Sequence, residues 1–151
     1  GSAYLKVTSY ITFAEMISVI ARLLSAGQIE LEPQAKEMLK GLSEEEKASA
    51  IALYILQKNS VKILGCLGIV PLGIPDVSIP IEFHKAIEIA SATRLKTLDN
   101  LHIAAAILNR RTESIEFFIT GDKGILERAS TINKVARILV LSPQEAMEKI
   151  V

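Results

Sequence analysis

Residues 97–127, TLDNLHIAAAILNRRTESIEFFITGDKGILE, decide the fold class. The Ala-rich run LDNLHIAAAILNRR predicts a helix with Thr97 as its cap. IEFFIT, short and apolar, predicts a buried strand, and GDKGILERAS predicts a short helix after it. Working outward toward the C-terminus, ARILVLS reads as a further strand and Pro143 as the first position of a closing helix. Toward the N-terminus, IEFHKAIEIASAT reads as a helix, and VKILGCLGIVPLGIPDVSIP as a short strand followed by a Gly- and Pro-rich loop. Ser43 and Glu46 form a capping box that opens a helix running to about residue 58, and a shorter helix spans 33–41. YLKVTSYI, residues 4–11, reads as a strand that runs into a helix opened by a second capping box, Thr12 with Glu15. That helix carries Ile17, Ile20, Leu23 and Leu24 on one face and stops at Gly27. Strands separated by helices imply an α/β fold with a mainly parallel sheet covered on both faces, built as one domain over residues 1–151.

A chain of 151 residues that is 50% hydrophobic can bury one substantial core. Basic and acidic residues number 17 each, so no whole-chain field announces a nucleic acid or a membrane. Charge must be read locally: residues 94–137 hold eight bases against five acids, an excess that suits a polyanion without demanding one. The single cysteine, Cys66, cannot form an internal disulfide, which favours a cytoplasmic protein, and a buried inert thiol is the expected role. No apolar run reaches the roughly 18 residues of a spanning helix, so no membrane partner is expected.

Three acids fall where a parallel sheet collects its ligands, beyond the carboxyl ends of strands where loops lead into helices. Glu15 lies just inside the helix after the first strand, Asp99 lies in the first turn of the Ala-rich helix, and Asp122 directly follows IEFFIT. If they converge, their mutual repulsion calls for a hard cation, magnesium or manganese. The chemistry that follows is phosphodiester hydrolysis, with the metal activating water and stabilising charge on phosphate oxygens. Each acid also has a plain structural role: Glu15 can close a capping box, Asp99 can complement a helix dipole, and Asp122 can cap the next helix. A carboxylate can do both.

Other constellations carry less. His102 lies one turn after Asp99, but with His84 as its only companion it reads as a packed residue rather than a zinc ligand. Neither GxxxxGK[ST] nor GxGxxG occurs, and Glu44 to Glu46 read as a helix start favoured by its dipole. With 5% aromatic residues, a base-stacking platform is improbable, so contacts to a polyanion would run through phosphates, with Arg22, Arg94, Arg110 and Lys123 as candidates.

TSYITFAEMISVIARL, TLDNLHIAAAI, FFITGDKGIL and VLSPQEAMEKI, in that order, resemble the PIN domain, and the resemblance covers the chain from about residue 4 onward. It implies a three-layer α/β/α sandwich whose acids bind Mg2+ or Mn2+ and cleave RNA, as in VapC-like endoribonuclease toxins held by an antitoxin. Carried over by motif, Glu15, Asp99 and Asp122 are the catalytic and metal-binding acids, and Thr120 supports them through hydrogen bonds. The family's opening strand, which ends in a further aspartate, has no counterpart here, since no Asp precedes Asp76. The resemblance places that strand in mid-sheet, so its loss would expose unpaired backbone on two neighbours and lead to altered pairing or a homodimer. The expected domain is thus a PIN-like one, truncated or naturally abbreviated at its N-terminus. The alternatives are a catalytically impaired PIN-like module that binds RNA or protein, and a structural domain that uses the apolar loop at 69–81.

Overall fold

The structure, a computed structural model, describes residues 4–66 and 68–150. The contacts of this chain, read from its sequence as one domain, cluster into two compact units, residues 4–64 and 65–150.

The first unit runs β1 (Lys6–Ser9), α1 (Tyr10–Ser25), α2 (Pro33–Met38), α3 (Glu44–Lys58) and β2 (Val61–Leu64). β1 and β2 pair in parallel, Lys6 opposite Val61 through to Ser9 opposite Leu64. A parallel pair needs a crossover, which the three helices supply. α1 lies against α3 through Ile20, Ala48 and Ala52, with Phe13, Met16, Ile17 and Leu24 packed around them. Both alanines are wholly buried, so the helix backbones approach closely there.

The first strand is shorter than its sequence suggests, because α1 begins at Tyr10 and not at Thr12. Ser9 is the cap: its Oγ accepts the Thr12 backbone N–H at 3.2 Å. The expected Thr12 and Glu15 capping box is therefore corrected, since both residues already lie inside the helix. β-branched and aromatic residues at 10–13 read as strand, but an upstream serine offers its hydroxyl to the orphan N–H groups and the helix starts sooner. At the other end Gly27, at φ +64°, donates to the Leu24 carbonyl, and Gln28 donates to that of Leu23. Gly27 thus stops α1 as expected.

The capping box at Ser43 is present, with the Glu46 N–H donating to Ser43 Oγ at 3.2 Å and the Ser43 N–H to Glu46 Oε2 at 2.8 Å. These bonds hold the Glu46 carboxyl below the usual carboxylate range. A depressed carboxyl stabilises above its ordinary pKa of 4.5, and that contribution fades as pH falls through the folded value. Ser43→Ala is expected to cost about 1 kcal/mol in urea unfolding at pH 7.

The second unit runs β3 (Ile69–Pro71), β4 (Ser78–Pro80), α4 (Ile81–Thr93), α5 (Thr97–Glu113), β5 (Phe117–Ile119), α6 (Lys123–Glu127), α7 (Ala129–Ala136), β6 (Leu139–Leu141) and α8 (Pro143–Ile150). α4 and α5 pack as a helical hairpin. β5 and β6 pair in parallel, Phe117 opposite Leu139 and Ile119 opposite Leu141. The core joins Ile89 of α4, Ile103 of α5, Ile125 of α6, Ile132 and Ala136 of α7, Ile138, and Val140 of β6.

Three readings are corrected in this unit. The expected loop at 69–81 contains an antiparallel hairpin, β3 with β4, whose connection turns through Gly73 and Asp76 at positive φ. Prolines at positions 71 and 80 and strands of three residues hide it from any periodicity. A separate helix, α7, follows a bend at Arg128 where one short helix was expected, and it buries Ile132 and Ala136 one turn apart. Thr97 is the first residue of α5 and not its cap; Lys96 stands at the cap position and offers no side-chain acceptor.

The described residues therefore form a mixed α/β protein with three two-stranded sheets, two parallel and one antiparallel. No helix among them is long and apolar enough to cross a membrane.

Candidate functional site

Asp122 is the best-defined of the expected site residues. It stands at the start of α6 and its Oδ1 accepts the Ile125 N–H at 3.1 Å, so its capping role is realised. Thr120 Oγ1 accepts the Asp122 N–H at 3.1 Å and fixes the turn out of β5. A side chain at Gly124 would bring a Cβ to 3.1 Å from Asp122 Oδ1, so glycine there leaves the carboxylate its room. The TGDKG turn thus holds an exposed carboxylate in a set orientation.

Asp99 lies half-buried in the first turn of α5, where no side chain caps the helix. Its anchoring comes from the next residue. Asn100, 3% exposed, donates from Nδ2 to the Leu95 carbonyl at 3.1 Å, and its Oδ1 accepts the hydroxyl of wholly buried Thr93 at 2.6 Å. The same hydroxyl lies 3.1 Å from the Ile89 carbonyl. Between them Arg94 adopts the left-handed conformation, φ +54°, and donates its N–H to Ala90 to end α4. Sequence reasoning passed over Thr93 and Asn100; the signal was a polar residue at helical spacing from core positions Ile103 and Ala104.

One turn beyond each acid an isoleucine enters the same core, Ile103 after Asp99 and Ile125 after Asp122. Two helix starts bearing carboxylates are thereby tied to one packed body. Glu15 belongs to the other unit, half-buried in the second turn of α1. Among the described residues no three His, Cys, Asp or Glu stand together as a ligand group.

No family model, curated protein or solved structure gives a significant match to the chain.

Of the expected phosphate contacts, Arg22, Arg94 and Lys123 are exposed, and Lys123 adjoins Asp122. Arg110 is half-buried, with its Nε buried and without a hydrogen-bond partner. His84 pairs with Glu88 at 3.3 Å, and Lys85 reaches the same carboxylate, whose pKa is lowered chiefly by the Lys85 hydrogen bond. That charge cluster lies on the surface of α4, where such pairs contribute little to stability.

Cys66 is half-buried, and Asn109 Nδ2 donates to its sulfur at 3.0 Å. Burial first, and then the nearby Glu82 carboxylate, push its thiol above the ordinary value, against the smaller effect of Asn109. A raised pKa leaves less thiolate at neutral pH, the opposite of an activated nucleophile. Iodoacetamide at pH 8 should therefore alkylate Cys66 several-fold more slowly in the folded chain than in urea. Equal rates would show that the thiol is not shielded.

Proposed function

We propose that the chain is a PIN-type domain and that its activity is metal-dependent endoribonucleolytic cleavage of RNA, with Asp99 and Asp122 as the working acids of the second unit. One observation carries this reading: two carboxylates stand at helix starts anchored in one core, one of them oriented by the Ile125 N–H and given room by Gly124. The resemblance assigns Thr120 a supporting role toward the acids; here its hydroxyl accepts the backbone N–H of Asp122. Mg2+ or Mn2+ is the cofactor this reading calls for, and a further acid, Glu15 or one from a second chain, has to join the pair. A three-layer sandwich, a homodimer, a cytoplasmic location and an antitoxin partner belong to the same reading.

A second reading is a catalytically impaired module that binds RNA or protein. The β3–β4 hairpin, with Ile69 and Ile74 more than half exposed, offers such a module an apolar surface. A single assay separates the two. Under the first reading a labelled single-stranded RNA is cut in Mn2+ and left intact in EDTA. Under the second it is bound with an affinity that falls with salt, is indifferent to Mn2+ and remains whole.

A further inference from the structure

The geometry points to Thr93 and Asn100 as positioning residues that set the direction of the Asp99 carboxylate. The inference rests on the reading of Asp99 as a working acid, and it adds how this fold would aim that acid.

α5 begins without a side-chain cap, because Lys96 occupies the cap position. Leu98 and Asp99 would fray there if nothing else held the first turn. Asn100 supplies the hold from within. Its amide N–H donates back to the Leu95 carbonyl, and its carbonyl oxygen accepts a hydrogen bond from the Thr93 hydroxyl at the end of α4. Both side chains are shut off from water, at 3% and 0% exposure. The corner between the helices is thus latched by hydrogen bonds of defined direction.

Ile89, Ile103 and Leu95 already pack around this corner. A buried polar pair brings little net stability over an apolar one of the same shape, but it fixes one geometry, since a rotated helix would leave an amide and a hydroxyl unsatisfied in a dry interior. The residue next to this latch is Asp99. Rotation or fraying of the first turn would swing its carboxylate, and misplacement by about 1 Å costs on the order of a hundredfold in rate when catalysis depends on position.

The test uses Thr93→Val, which keeps the shape of the side chain and removes the hydroxyl, and Thr93→Ser, which keeps the hydroxyl. Three-bond couplings report the χ1 rotamers of Asp99 in each. One dominant rotamer is expected in the parent and in Thr93→Ser, and averaging in Thr93→Val. Cleavage of RNA in Mn2+ is expected to lose about tenfold or more in kcat in Thr93→Val with KM within twofold, and Thr93→Ser to recover it. On an Asp99→Asn background Thr93→Val should cost nothing further. A folded Thr93→Val that keeps the Asp99 rotamer and the parental kcat overturns the inference, as does a full additional loss on the Asp99→Asn background. Should Thr93→Val fold poorly, Thr93→Cys, with its weak donor, is read the same way, and an intermediate effect is expected. A parent chain that leaves RNA intact removes the nuclease reading, while the rotamer measurement still decides whether the latch aims Asp99.

Discussion

Asp122→Asn is expected to abolish RNA cleavage while leaving the fold intact, with a loss of about two to three orders of magnitude in kcat. The substitution separates the two roles this residue can have. Asparagine caps a helix about as well as aspartate, so the bond from Ile125 N–H to Oδ1 survives and α6 keeps its start. What disappears is the charge. Asp122→Ala removes cap and charge together, and should cost about 1 kcal/mol of stability in addition. Asp99→Asn is expected to match the loss in rate, because no described hydrogen bond of the helix start depends on its carboxylate. Rates are to be compared at one Mn2+ concentration with far-UV circular dichroism confirming the fold. An Asp122→Asn protein as active as the parent would leave Asp122 as a helix cap and nothing more.

The second large effect is on stability. Ile103→Ala should destabilise the second unit by about 3 kcal/mol, in the middle of the range for isoleucine truncated in a core that cannot collapse around the gap. Ile103 is 1% exposed and shares one cluster with residues from three other helices and β6. Ile87→Ala on α4 removes the same atoms from a side chain that is 58% exposed, and should cost roughly half a kcal/mol or less. Urea unfolding of the two variants gives the comparison. Equal losses would mean that the cluster around Ile103 is not the centre of this core. Because Ile103 lies one turn from Asp99, Ile103→Ala also tests how firmly the acid-bearing turn depends on packing beneath it.

The α3 capping box was plain in the sequence because its partners lie three residues apart and need nothing from elsewhere in the chain. So was Gly27, whose positive φ suits the residue that lacks a Cβ. Pro143 opens α8 as expected, and Asp122 takes the cap that its turn suggested. Thr12 misled because two serine or threonine candidates, Ser9 and Thr12, stood three residues apart, and either could begin the helix. The structure settled on Ser9, so Glu15 lies in the second turn and not the first.

Local chemistry thus wrote most of the helices, and the caps at Ser43 and Asp122, into the sequence, for those depend on neighbours within one or two turns. Pairing and assembly did not follow from it. The Ile69–Pro80 hairpin closes through backbone bonds that proline-bearing strands of three residues do not advertise. Likewise, a hydroxyl at 93 meets an amide at 100 only because the corner at Arg94 folds α4 back on α5. Whether separated carboxylates share an ion is a matter of the same kind, since it depends on distances between segments that no spacing along the chain specifies.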